Sequence, residues 1–298
     1  MNNLKKAAEY LSADIKDAVL NMSAEHMKNT REIRLRLGRA VTVVTGEWER
    51  YLSHDGRLHE YGTHFITAQQ SDLEYSFKAI CDSSIHSFAK ELSQGWVTVA
   101  GGNRVGIAGT AVTKSDGLNT VKYVNALNFR IAHEVNGCAE NVYNQFFAAE
   151  PVSMLVIGKP GSGKTTFIRD LCRILSSRKR ISLIDERGEL AACSYGVPQN
   201  DVGMKTDVFD GYSKADGIET AIRVMNPDFI ICDEIGNDDV TALLGSINSG
   251  VKIIATAHAG SIGEIHKRKH IKRLLELGAF EYLYETESKK CTSLLELS

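Results

Sequence analysis

The sequence predicts an α/β protein built from a smaller α+β domain, residues 1–135, and a second domain with a mostly parallel sheet, residues 136–298. Two observations lead to this fold class. Short segments of the first part alternate apolar and polar residues, which is the pattern of antiparallel strands with one covered face. In the second part continuous apolar runs alternate with helical segments, and this is typical of parallel strands covered by helices.

The composition is that of an ordinary globular protein. Of the 298 residues, 43% are hydrophobic and 24% are charged, so both domains can bury a core. A net charge of −2 argues against a nucleic-acid coat, which needs clustered Lys and Arg. Six cysteines without C-x-x-C pairs or zinc spacing indicate a reduced, intracellular protein. We recognise neither a signal peptide nor an apolar run near the ~20 residues that span a bilayer, so direct membrane insertion is not expected.

The first part begins with a helical segment. Its apolar residues recur at helical spacing and form one stripe: Leu4, Ala8, Leu11, Ile15, Val19 and Met22. An alternating stretch follows, with Arg34 and Arg36 opposite the apolar face. Breaks at Gly38 and Gly46 predict that this stretch continues as a small antiparallel meander.

A helix and a hairpin complete the first part. The spacing of Thr67 and Gln70 resembles a capping box that opens a helix, and a second helical piece ends near Gly95. Residues 96–99 and 105–112 flank a Gly-Gly-Asn turn and predict a hairpin. The glycines of this hairpin lack the spacing of a dinucleotide motif, so we reject that function.

The second part alternates strands with helices. A helix over residues 139–149 precedes Pro151, which disfavours further helix. The following helix, residues 165–176, is predicted to turn four apolar side chains inward: Phe167, Leu171, Ile174 and Leu175. Apolar runs predict buried strands at residues 154–157, 181–184, 229–232 and 252–255. The tail over residues 280–297 is predicted to form short strands or a loose edge.

The strongest motif joins the first of these strands to the helix after it. Residues 158–165 match G-x-x-x-x-G-K-[ST], the phosphate-binding P-loop. Glycines let successive backbone N–H groups point at phosphate oxygens, and the positive end of the helix adds to them. Lys164 is predicted to reach the outer phosphates and the Thr165 hydroxyl to bind Mg²⁺. The sequence therefore predicts a site for ATP and Mg²⁺ whose nucleotide-binding residues are Gly158, Lys159, Pro160, Gly161, Ser162, Gly163, Lys164, Thr165 and Thr166.

Acidic residues end two other predicted strands. Asp233 is predicted to hold the magnesium ion through its water shell, and Glu234 to orient or deprotonate the attacking water. Glu186 and Glu189 follow another strand, and they are alternative candidates for the base. His258 follows the strand that ends near residue 255, where it is expected to sense the γ-phosphate, although a lone histidine is more often structural.

The order of these motifs resembles the ATPases of type-II and type-IV secretion systems and, more closely, the stage III sporulation protein AA family. The segments that carry the resemblance are the P-loop, IDERGE, NPDFIICDEIG and SGVKIIATAH, together with EIRLRLGRAV, QGWVTVAGGNRVGIAGTAV and NFRIAHEVNG in the first part. Two features depart from the secretion enzymes. The tetracysteine zinc motif of the larger type-II enzymes is absent, and Asp233-Glu234 stands where Gly-Glu is usual.

The resemblance implies a RecA-like P-loop NTPase domain that follows a smaller nucleotide-clasping domain. It also implies a homo-oligomeric ring, which is a hexamer in the secretion ATPases. It implies an acidic box at residues 185–189, a Walker B motif at Asp233-Glu234 and a histidine motif at His258. It also implies that Arg130 clasps the nucleotide from the N-terminal side.

Three functions remain open from the sequence. The leading hypothesis is a cytoplasmic ATPase of the mother cell, a homo-oligomer that energises a channel through membrane-embedded sporulation proteins. The alternatives are a nucleic-acid-stimulated ATPase, with a strand bound by Arg34, Arg36 and Arg104, and a scaffold that binds ATP without turnover. An arginine from a neighbouring subunit is expected to complete the site. The candidates are Arg130, Arg187, Arg223, Arg268 and Arg273.

Overall fold

The computed structural model describes residues 2–81, 92–93, 95–113, 119–133 and 135–294. The chain falls into two compact units, residues 1–133 and residues 134–298. The helical piece predicted before Gly95 lies mostly outside the described residues.

The described helices of the first unit are α1 to α4: Asn2–Ala8, Ala13–Leu20, Ala24–Asn29 and Gln70–Ile80. The predicted stripe of apolar residues is buried throughout, but the segment is split into α1 and α2. Tight turns separate the two helices. In these turns the N–H groups of Tyr10 and Leu11 donate to the carbonyls of Ala7 and Ala8 at 3.1 and 3.0 Å. Burial periodicity therefore predicted which side chains face the core, and it did not predict the bend between the helices.

The capping box predicted at Thr67 and Gln70 is wrong by two residues. Gln69 is the N-cap of α4, and its N–H donates to the Asp72 carboxylate at 2.8 Å. Thr67 instead forms an isolated antiparallel bridge with Ala40. Pairing with a distant part of the chain thus prevents Thr67 from capping the helix.

The first unit contains a seven-stranded antiparallel sheet with the order β4-β3-β2-β1-β7-β6-β5. Its strands β1 to β7 are Glu32–Arg36, Thr42–Val44, Glu49–Leu52, Leu58–His59, Trp96–Val99, Asn103–Thr113 and Asn119–Arg130. Ile33 lies opposite Val43 on one side and Phe129 on the other, and all three are fully buried. This confirms the predicted meander and hairpin as parts of one sheet.

The second unit contains a second seven-stranded sheet, with the order β10-β9-β11-β12-β8-β13-β14. Its strands β8 to β14 are Met154–Gly158, Ile181–Asp185, Thr206–Asp210, Phe229–Glu234, Lys252–His258, Tyr282–Glu285 and Lys290–Ser293. All neighbours are parallel except β13 and β14. Leu155 packs into the core on one face of the sheet and Met154 into the core on the other, so both faces are covered. The predicted α/β class with a mostly parallel sheet is confirmed.

The described helices of the second unit are α5 to α10: Glu140–Val142, Lys164–Leu175, Lys214–Val224, Val240–Asn248, Ile262–Ile265 and Lys269–Glu276. The helix predicted over residues 139–149 is shorter, because α5 gives way to a π-type turn over Tyr143–Phe147. In α6 three of the four predicted residues are buried, while Ile174 is half-buried. None of the helices in the described ranges is long and apolar enough to cross a membrane.

Helix α6 is tied to the chain before β8 by a buried carboxylate. Asp170, 2% exposed, accepts from the N–H of Ala139 at 2.8 Å and from the Arg173 guanidinium at 2.7 Å. Burial acts to raise the pKa of Asp170, but these hydrogen bonds outweigh it and the pKa is lowered. Because the pKa of Asp170 is lower in the folded than in the unfolded protein, its carboxylate stabilises the fold at pH values above the unfolded pKa. This contribution is lost as pH falls through the folded pKa.

We therefore expect Asp170→Asn to lower the free energy of unfolding at pH 7 by about 2–3 kcal/mol, because it weakens hydrogen bonds to a charged group. The difference from the unchanged protein should shrink below pH ~4, where the wild-type carboxylate also becomes protonated. Urea denaturation at pH 7 and again below pH ~4 measures the free energy of unfolding of both proteins. Asp207→Asn, at an exposed position of β10, is the control, and an equal loss there would contradict the assignment.

Candidate nucleotide site

The P-loop connects the interior strand β8 to helix α6. Gly161 and Gly163 have φ values of +77° and +90°, in the left-handed region that favours glycine. The loop therefore turns back on itself, and α6 begins at Lys164 with its free N–H groups at the loop. This is the local backbone arrangement that receives phosphate in strand–loop–helix sites.

Gly158 is required for a different reason. A Cβ on Gly158 would overlap the side-chain oxygens of Ser162 and Thr286. The Thr286 hydroxyl donates to Ser162 Oγ at 2.7 Å, and the Thr286 N–H donates to the Ile157 carbonyl at 3.0 Å. The segment that follows β13 thus holds the P-loop from the side, a role that the sequence did not predict for Thr286.

Lys164 lies at the centre of the site and is 7% exposed. Its ammonium group lies 2.8 Å from the Gly158 carbonyl, 2.9 Å from the Lys159 carbonyl and 3.0 Å from His258 Nδ1. Burial lowers the pKa of Lys164, and the charge of Glu234 opposes this. An ammonium group has three protons, so these contacts occupy all of its donors.

His258 links Lys164 to the predicted base. Since the charged ammonium of Lys164 can only donate, His258 Nδ1 accepts, and the ring proton of a neutral imidazole must then lie on Nε2. Nε2 is 2.9 Å from Glu234 Oε2, to which it donates. The strand register explains this meeting, because His258 lies opposite Gly158 and Glu234 lies opposite Thr256 at the carboxyl edge of the sheet.

A cavity of about 360 Å³ gathers these groups. It is lined by Pro160, Gly161, Gly163, Lys164, Thr165, Thr166, Arg187, Glu189, Asp233, Glu234, Thr256 and His258. Most predicted site residues therefore meet at one place. Gly158, Lys159 and Ser162 shape the loop without lining this cavity. Arg130 belongs to the first unit, where it lies beside Arg31, Arg104 and His133 around another cavity, and its predicted contact with nucleotide stays a prediction.

Asp233 is 5% exposed at the end of β11. Its Oδ1 lies 3.1 Å from the ammonium of Lys214, but no well-directed hydrogen bond reaches this oxygen, so the contact is an ion pair. Burial raises the pKa of Asp233 to about 6, although the charge of Lys214 acts against it. Lys214 also lies 2.6 Å from Glu186 Oε2.

The acidic residues at the end of β9 and just after it differ in their contacts. Asp185 is fully buried, and its carboxylate accepts the N–H groups of residues 189, 190, 191 and 192 at 2.8 to 3.3 Å. It is therefore a structural acid that shapes the loop. Glu189 lines the cavity, whereas Glu186 does not and is held by Lys214.

Two residues of this site were missed by reasoning from the sequence, Lys214 and Thr286. Lys214 gave one signal, because it is the first residue of α7, and a cation is unfavourable at the positive end of a helix. Thr286 gave none, since its role depends on β13 pairing with β8, far away in the chain.

The residues present fit magnesium. The Thr165 hydroxyl and the Asp233 carboxylate line the cavity and offer hard oxygen ligands. Within the described ranges there is no cluster of three or more His, Cys, Asp or Glu that could hold a metal ion. Magnesium usually binds through one or two protein ligands together with substrate phosphates, which is what this site offers.

A second cavity, of about 680 Å³, adjoins the first, since Gly163 and Thr166 line both. One wall is an aromatic pair, Phe167 and Tyr284, whose rings are stacked 4.3 Å apart. Asn141 and Gln145 also line this cavity and carry amide groups. The cavity therefore combines aromatic and polar lining residues.

The parallel sheet and the P-loop between β8 and α6 define a RecA-like P-loop fold. Solved structures with the same fold include the Legionella pneumophila ATPase DotB, with a TM-score of 0.53 at 14% identity over 87% of this chain and 72% of that one. The pilus retraction motor PilT has a TM-score of 0.56 at 14% identity, over 87% of this chain and 74% of that one. At this identity the likeness concerns the fold.

The family is defined by sequence. The family model described as "Sporulation stage III, protein AA" matches residues 1–293. Stage III sporulation protein AA of Bacillus subtilis (strain 168) is 34% identical over 294 residues, which are 96% of this chain and 92% of that protein. This chain belongs to the sporulation stage III protein AA family, and the resemblance noted from its motifs is confirmed.

Proposed function

We propose that this protein is a Mg²⁺-dependent ATPase that works in a ring of identical subunits and energises a secretion-like channel complex in sporulation. The observation that carries the proposal is the contact chain Lys164–His258–Glu234 in the P-loop cavity. It connects the residue predicted to bind the outer phosphates to the one predicted to act on water.

The site suggests how these residues would act. Lys164 has no spare proton, so it must give up at least one present contact to bind a phosphate. Giving up His258 would loosen the hold of that ring on Glu234. The Glu234 carboxylate then accepts the proton of the water that attacks the γ-phosphate. Thr165 and Asp233 would hold a magnesium ion, which would neutralise charge on the phosphates. Glu189 remains on the cavity wall as the alternative base.

The adjoining cavity suits the nucleoside. Gly163 and Thr166 of the P-loop line both cavities, which supports a nucleoside bound next to the phosphates. A base can pack on the Phe167–Tyr284 pair while Asn141 or Gln145 bonds to its edge. We therefore propose that ATP occupies both cavities.

The role in a channel rests on family membership and on the relatives' names. A type IV secretion system protein, VirB11 of Bartonella quintana, is 32% identical over 119 residues, 38% of this chain and 30% of that one. DotB is named an ATPase and PilT a motor. We propose that the present protein acts at a membrane, in the mother-cell cytoplasm and through membrane-embedded partners.

The test is MgATP hydrolysis measured against protein concentration. Activity per subunit should rise with concentration, because an arginine of a neighbouring subunit is expected to stabilise the transferring phosphate. Activity that stays flat would mean a self-sufficient site and would contradict the ring. Binding without turnover at any concentration would favour the nucleotide-dependent scaffold instead.

A nucleic-acid-stimulated ATPase is less well supported. Two of the three arginines predicted to bind a strand have acidic partners, with Arg34 2.6 Å from Glu32 and Arg36 3.3 Å from Glu49. Stimulation by DNA or RNA that fades with added salt would revive this alternative.

A further inference from the structure

Lys214 is a buried cation in an unfavourable place. It is 4% exposed. Among the residues that the structure describes, Lys214 and Lys164 are the two buried lysines. Taking an ammonium group out of water is costly, and its position at the start of α7 adds repulsion from the helix dipole. Carboxylates must offset both costs.

Two carboxylates surround the Lys214 ammonium. Glu186 Oε2 lies 2.6 Å away and Asp233 Oδ1 lies 3.1 Å away. These acids lie at the carboxyl ends of two adjacent parallel strands, since Glu186 directly follows β9 and Asp233 precedes the last residue of β11. Both were predicted to serve the nucleotide. The lysine is therefore shared between the predicted metal-binding acid and a candidate base.

The cavity lining shows on which side Lys214 lies. Asp233 lines the P-loop cavity, whereas Lys214 and Glu186 do not. Lys214 thus contacts Asp233 from behind the cavity wall. It lies against Oδ1, which is buried, so we infer that Oδ2 is the carboxylate oxygen left for the metal.

We propose that Lys214 is a positioning residue for magnesium: it holds Asp233 so that the free oxygen of the carboxylate is directed to the cation, and it holds Glu186 outside the cavity. This inference rests on the proposed ATPase function. Partners behind a metal-binding carboxylate orient it, and their loss typically weakens metal binding about 10–100-fold.

Repulsion between Lys214 and the magnesium ion is expected to be a small effect. The short contact with Glu186 makes a neutral pair, so the charge of the ammonium is compensated locally. Removing Lys214 should then weaken metal binding, because the loss of a positioned Asp233 carboxylate outweighs the relief of repulsion between Lys214 and the cation.

The experiment measures the Kd of a fluorescent ATP analogue in Mg²⁺ and in EDTA. The ratio of the Kd in EDTA to the Kd in Mg²⁺ gives the contribution of the cation to binding. In Lys214→Met we expect this ratio to fall about 10–100-fold, with the Kd in EDTA unchanged. Lys214→Arg keeps a cation that can reach both acids, and it should retain most of the ratio. The control is Lys272→Met, at an exposed position of α10, which should keep the wild-type ratio.

Two outcomes would overturn the inference. An unchanged ratio in Lys214→Met would show that Asp233 needs no support, and an equal loss of affinity in EDTA would show a merely structural role. The double variant Lys214→Met with Asp233→Asn removes both members of the buried pair and tests the case in which Lys214→Met does not fold. Against Asp233→Asn alone, the loss of Lys214 should no longer change the ratio, because the proposed effect passes through Asp233.

Failure of the ATPase proposal looks different. If the wild-type protein binds the analogue neither in Mg²⁺ nor in EDTA, the proposed function fails, and this inference fails with it. If the wild type binds and shows a cation-dependent ratio that Lys214→Met leaves intact, only the inference about Lys214 fails.

Discussion

Lys164→Ala is expected to abolish ATP hydrolysis and to weaken ATP binding about 10–100-fold. The lysine is the buried cation of the P-loop cavity, and a hydrogen bond to a charged group contributes about 1.5–3 kcal/mol. Alanine keeps the helix but removes the charge that would meet the phosphates. Titration with a fluorescent ATP analogue and a phosphate-release assay measure the two effects.

Lys205→Ala is the matched control for Lys164→Ala, because Lys205 is an exposed lysine of the same unit, outside the cavity. It should leave binding and hydrolysis as they are. Wild-type hydrolysis in Lys164→Ala would contradict the assignment of the P-loop as the site of the reaction. A folded variant is recognised by an unchanged circular dichroism spectrum.

Glu234→Gln is expected to lower kcat about 10²–10⁴-fold, the usual contribution of a positioned general base. Glutamine has the size of glutamate and can still contact His258 Nε2, but it cannot take a proton from water. ATP binding should therefore persist while turnover is lost. Single-turnover hydrolysis and nucleotide titration separate the two.

The competing base is tested in parallel. Glu189→Gln changes the other glutamate of the same cavity and should leave most of the rate if Glu234 is the base. If Glu189→Gln stops hydrolysis and Glu234→Gln does not, the assignment moves to Glu189. Glu186 is a weaker candidate in either case, since Lys214 holds its carboxylate and it does not line the cavity.

Much of the site could be read from the linear sequence because its signals are local. The glycines of the P-loop, the lysine and the threonine lie within eight consecutive positions, between an apolar strand and an amphipathic helix. Acids and a histidine at strand ends could be placed together, since parallel strands deliver their carboxyl ends to one edge of the sheet. The parallel sheet itself followed from apolar runs that alternate with helices.

The expectations that proved wrong concern places where distant parts of the chain meet. Thr67 fits a capping pattern, but it pairs with Ala40 instead, and Gln69 caps the helix. The first helical stripe is buried as expected, yet it is divided by a bend that burial periodicity does not encode.

By itself, the sequence determined the α/β class, the P-loop and the set of acids that are candidates for the base. Only the tertiary structure decided which acid does what: Asp185 receives four backbone N–H groups, Glu186 is held by Lys214, and Glu234 meets His258. The physical reason is that backbone preference and periodicity act over a few neighbouring residues. The charge state and orientation of a carboxylate depend instead on burial and on partners from other strands and helices, such as Lys214 and Thr286, which lie next to it only after the chain has folded.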